Sequence, residues 1–155
     1  MKTLPRAYVA LADAGFGDLS AIQHLGRHVR DAGLIATGKR GRGAQPLSHA
    51  DYVALLLAVS VPCPTAETRL SSTRELLALP GLPGQTCGDV LANLIGRMQE
   101  GFDEVASVVL RPNHPAVEVR YSHGAAIRFG PVCTPPMAVD SIASISGAAI
   151  REVVR

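Results

Sequence analysis

Tryptophan is absent from the sequence, and tyrosine and phenylalanine occur three times each. So few rings argue against an aromatic stacking platform for single-stranded nucleic acid. Cysteine is equally sparse. Cys63, Cys87 and Cys133 are odd in number, widely spaced and contain no CxxC pair. That pattern argues against a disulfide framework or zinc knuckle and fits a reducing cytosol. Long apolar runs are missing as well. The longest, residues 52–59, suits a buried helix or strand and falls well short of a membrane span. Lys2 and Arg6 precede a short apolar stretch, but Pro5, Asp13 and Asp18 interrupt it, which makes a poor signal peptide. The expectation is a cytoplasmic protein with no membrane partner.

What the chain does contain is enough apolar material for a core. It is 47% hydrophobic over 155 residues, which suits one domain or one domain with a small appendage. Helical spacing of apolar residues predicts helices over 4–14, from Asp18 or Ser20 to about Ala32, over 49–59, over 66–78, and from a Thr86–Asp89 cap to Gly101. In the second of these, Ile22, Leu25 and Val29 share one face, and His24, Arg27, His28 and Asp31 lie opposite. Ser48 with Asp51 resembles a capping box for the third helix. PGLPG, residues 80–84, is the clearest linker.

Beyond Gly101 the period changes to that of strands. Residues 105–110, 116–121 and 125–129 read as an antiparallel meander with tight turns. Residues 141–146 make a fourth candidate strand, although Ile142 and Ile145 also fit a helical spacing, and Ser146 is placed to cap a last helix over 147–154. The predicted class is α+β: a helical module, residues 1–79, then residues 85–155 with a helix, a small antiparallel sheet and a C-terminal helix. The second module is assigned an oligomerisation or packing role.

The formal net charge of +2 hides an asymmetry. Residues 1–50 hold seven Lys/Arg against three Asp, and residues 51–155 hold eight Arg against ten acids. Between Leu19 and Ala50 the only acid is Asp31, against Arg27, Arg30, Lys39, Arg40 and Arg42. A local basic field in a near-neutral chain points to a polyanion. RNA, another anionic partner, or simply a solvated surface are the alternatives. A helix presenting Gln23, His24, Arg27, His28 and Arg30 suits a major groove about 12 Å wide, where Gln and Arg have base-edge partners. The Gly-rich stretch with Lys39, Arg40 and Arg42 suits phosphate or a narrow minor groove.

The stretch 20–59 resembles part of a winged helix-turn-helix of the mercury-resistance-regulator (MerR) or excisionase type. The resembling pieces are Gly33-Leu34-Ile35, Lys39-Arg40-Gly41-Arg42, and Ser48-His49-Ala50-Asp51 leading into Val53 and Leu56. The resemblance implies a recognition helix before Gly33, a wing at the basic segment and a supporting helix behind. The stretch departs from that pattern at Val29-Arg30-Asp31-Ala32, where aromatics are usual, and at Gln45-Pro46-Leu47, where an Arg and a Tyr are usual. It is also reminiscent of proteins from bacterial prophages.

Chemistry-bearing motifs are few. His24 and His28 have metal-ligand spacing, but no third ligand is evident nearby in sequence. Gly38-Lys39 is followed by Arg where a P-loop needs Ser or Thr. There is no GxSxG and no HExxH. The expectation is therefore a non-enzyme with no catalytic residue, no metal and no cofactor. The expected function is that of a sequence-specific duplex-DNA-binding protein, a transcriptional regulator of a bacterial mobile element, forming a homo-oligomer with a dimer favoured. The alternatives are a phage assembly or packaging protein such as a small terminase subunit, and an enzyme of unknown chemistry.

Overall fold

The structure, a computed structural model, describes residues 2–36, 46–81, 83–131 and 142–154. It is α+β. The order is α1 (Leu4–Asp13), α2 (Leu19–Asp31), α3 (His49–Ser60), α4 (Ala66–Ala78), α5 (Cys87–Gln99), β1 (Val105–Arg111), β2 (Ala116–Tyr121), β3 (Ala126–Phe129), β4 (Ala143–Ser146) and α6 (Gly147–Val154). The helical spacing and the switch to a strand period after Gly101 both appear where the sequence places them.

Local chemistry explains the boundaries. Pro5 sits in the first turn of α1, where its missing N–H costs nothing. Asp18 is the N-cap of α2 by position, yet its side chain makes no cap hydrogen bond. The far end of α2 is closed by Gly33 at φ +73°, with Gly33 N donating to Arg30 O and Leu34 N to Val29 O. This is a Schellman closure, and it turns Ile35 into the core at 1% exposure. Ser48 and Thr86 each form a full capping box, with Asp51 and Asp89 at the third position of α3 and α5. Ser146 Oγ accepts from Ala149 N at the start of α6.

α3 is buried nearly all round and forms the centre of the molecule, packed against α2, α4, α5 and β4. Its apolar residues therefore follow no single stripe. α5 turns Val90, Leu91, Leu94, Ile95 and Met98 inward. One hydrophobic cluster includes residues of both halves of the chain, from Leu11, Ile22 and Val53 to Leu94, Val119 and Ile150.

The four strands are antiparallel in the order β3-β2-β1-β4. β1, β2 and β3 form the expected meander, and β4 returns to the opposite edge beside β1. Val108 pairs with Val119 and Ile145, and Leu110 pairs with Val117, which in turn pairs with Phe129. These residues line the face toward the helices. The other face carries Glu118, whose carboxylate accepts from Arg120 and Arg128 at 2.6 Å each. α6 closes the structure: Lys2 Nζ donates to the carbonyls of Glu152 and Val153, joining the start of the chain to the end of that helix.

Candidate nucleic-acid interface

α2 sorts its residues sharply. Ile22, Leu25, Gly26 and Val29 are buried, and Gln23, His24, Arg27 and Arg30 are exposed, with His28 half-buried. At 100° per residue the outward side divides into two neighbouring stripes. Gln23, Arg27 and Arg30 form one; His24, His28 and Asp31 form the other.

The position of α2 is fixed by a close approach to α1. A Cβ at Gly26 would lie 2.2 Å from the Tyr8 hydroxyl and 2.4 Å from its ring, so glycine makes room for the Tyr8 side chain against α2. Burial pushes the Tyr8 phenol up, and the Arg30 and Arg27 guanidiniums nearby pull it partly back. From the other side, Arg74 of α4 donates to Ala32 O at 2.7 Å, satisfying a carbonyl at the C-terminus of α2. Arg30 also reaches its neighbour Asp31 at 3.6 Å, an exposed pair of little energetic weight.

Lys39, Arg40 and Arg42 lie outside the described residues, but both ends of their segment are described. The Asp51 carboxylate holds them. Oδ1 accepts from Ala36 N at 2.9 Å, and Oδ2 accepts from Ser48 N at 2.9 Å and Ser48 Oγ at 2.6 Å. Asp51 is 8% exposed, one of two buried polar side chains among the described residues. Beside it Pro46 bridges to Thr3, and Leu47 N donates to Lys2 O. Ala36 and Ser48, which flank the basic stretch in sequence, are thus joined through Asp51 close to the end of α2.

Sequence reasoning placed the five polar residues of α2 on its outer surface. It missed the second job of Asp51, because a capping box is a local pattern and the bond to Ala36 is not. It also missed Arg74, whose partner lies on another helix. No group of three or more His, Cys, Asp or Glu is arranged to hold a metal ion among the described residues. No helix among them is long and apolar enough to cross a membrane. Cys87 is fully buried and desolvation pushes its thiol up to about 12, which disfavours the reactive thiolate.

No known family model, curated protein or solved structure matches the chain.

Proposed function

We propose that this protein binds duplex DNA, with α2 in the major groove and the basic segment 37–45 against the backbone or the adjacent minor groove. One observation carries the reading. The outward face of a 13-residue helix presents Gln23, Arg27 and Arg30 in a single stripe, and the described residues Ala36 and Ser48, on either side of the basic stretch 37–45 in sequence, both bond to Asp51. A helix of this length spans roughly 20 Å and fits a groove about 12 Å wide. Gln and Arg are the side chains with bidentate partners on base edges. His24 and His28 flank that stripe within reach of phosphate. Lys39, Arg40 and Arg42 supply sequence-independent affinity.

On this reading the protein is a sequence-specific regulator of transcription of the winged-helix type, in the cytoplasm of a bacterium or in the service of a mobile element. Residues 1–79 make the DNA contacts, and residues 85–155 support them and pair two copies. Pairing places two recognition helices about one helical turn apart on a two-fold site.

The test is titration of the purified protein on duplexes selected from a random library. Arg27→Ala should relax base preference and cost about 1–3 kcal/mol on the selected site. Lys39→Ala should weaken all sequences about equally. Absence of binding at low salt would end the DNA reading, and equal behaviour of the two variants would end the assignment of α2 as the recognition helix.

A further inference from the structure

The second stripe on α2 has chemistry of its own. His24 and His28 stand one turn apart, and their Nε2 atoms are 3.1 Å from each other. The rings meet edge to face, with centroids 4.6 Å apart and planes at 87°, so the ring nitrogens converge while the ring faces do not. With metal–nitrogen bonds of about 2.0–2.1 Å, this separation closes a nitrogen–metal–nitrogen angle of about 100°. That angle lies between the octahedral and tetrahedral values. We propose that His24 and His28 form a two-imidazole chelating site for a borderline divalent transition-metal ion such as Zn2+ or Cu2+.

Imidazole is a preferred ligand for these ions, and a helix fixes the i, i+4 pair without a large loss of freedom on binding. In the metal-free pair one Nε2–H donates to the other Nε2. On binding, that ring carries its proton on Nδ1 instead, and both Nε2 lone pairs take the ion. His28 lies in the last turn of α2, where the helix dipole favours positive charge, and His24 one turn before it near the middle of the helix. Asp31 continues the same stripe, 70% exposed and already within 3.6 Å of Arg30. Arg27 and Arg30 oppose a cation, but they occupy the neighbouring stripe on a surface where salt and water screen them. With no third ligand arranged among the described residues, the remaining coordination positions belong to water. Such a site is open and exchanging, unlike a closed structural zinc site.

The inference rests on helix geometry and not on DNA binding, so it is tested with the metal alone. Zn2+ is titrated calorimetrically into the full chain, and Cu2+ is followed by electron paramagnetic resonance. We expect one micromolar Zn2+ site per chain and a Cu2+ spectrum with two equatorial imidazole nitrogens. His24→Gln and His28→Gln should each weaken Zn2+ binding by about tenfold or more, as loss of half a chelate requires. His114→Gln should leave it unchanged. Melting curves confirm that the surface replacements fold. Zn2+ affinity that is unmoved by either His24→Gln or His28→Gln would overturn the proposal, as would no binding at millimolar metal. A DNA titration in the presence of a chelator separates this outcome from failure of the DNA reading.

Discussion

Replacing Asp51 with Ala should be among the most damaging single changes outside the apolar core. The side chain is 8% exposed and accepts from Ala36 N, Ser48 N and Ser48 Oγ. Alanine keeps the bond from the residue-51 amide to Ser48 Oγ but removes the reciprocal half of the capping box, the bond from Ser48 N, worth about 0.5–1.5 kcal/mol. It also removes the charged acceptor of the Ala36 amide, and hydrogen bonds to charged groups contribute about 1.5–3 kcal/mol. These losses share one carboxylate and do not add fully, so we expect about 3 kcal/mol in total. For a chain of this size that lowers the melting temperature by about 6–12 °C. Urea denaturation gives the free energy, and hydrogen exchange gives the mechanism. The Ala36 and Ser48 amides should exchange faster, while amides in the middle of α5 should follow only the global loss. Asp51→Asn should recover part of the stability, because one oxygen remains and the other acceptor becomes a donor facing an N–H. A loss below about 1 kcal/mol for Asp51→Ala, with exchange at Ala36 unchanged, would show that the carboxylate does not clasp the segment ends.

Four further outcomes follow from the same geometry. Gly26→Ala should destabilise by about 1–3 kcal/mol through overpacking against Tyr8, although alanine ordinarily favours a helix; a rise in melting temperature would contradict the α1–α2 crossing. The Arg120 and Arg128 hydrogen bonds hold Glu118 below the usual carboxylate range. A depressed folded pKa means stability present at neutral pH and lost as pH falls through that pKa, so the deficit of Glu118→Gln in a melting series should shrink in acid below about pH 4. Cys87 should resist alkylation at pH 8 in the native protein and react on unfolding, as peptide mass mapping would show. Changing Arg40 and Arg42 to Ala should cost more affinity on sites with A·T-rich flanks than with G·C-rich flanks, with a change in fold stability within about 0.5 kcal/mol.

Much of the fold was legible because its signals are local. Gly33 and the Ser48–Asp51 and Thr86–Asp89 boxes mark helix ends through bonds only a few residues long. The Val117–Val119 alternation marks a strand facing a core. Partner choice was not legible. Nothing in residues 143–146 says that β4 lies beside β1 and not β3, since the same Ile145 would face the core from either edge. Glu118 was visible as an outward residue, but its bond to Arg128 exists only through the β2–β3 register. The outward face of α2 could be read from its period, whereas the convergence of His24 and His28 depends on side-chain rotamers that spacing does not determine. The approach of Tyr8 to Gly26 was hidden for a related reason. A glycine inside a helix looks like a weakness until the neighbouring helix is in place.

The central claim is that α2 and the basic segment form a duplex-DNA face, and its most direct test is affinity as a function of salt. Each neutralised phosphate releases condensed counterions, so about four to six phosphate contacts per protomer give a log–log slope of about −4 to −5. The measurement is fluorescence anisotropy of a labelled duplex titrated with purified protein across a range of salt concentrations. The account predicts binding at low salt with that slope, made shallower by about one when Lys39 is replaced with Ala. A flat response to salt, or no binding at the lowest salt, would contradict it.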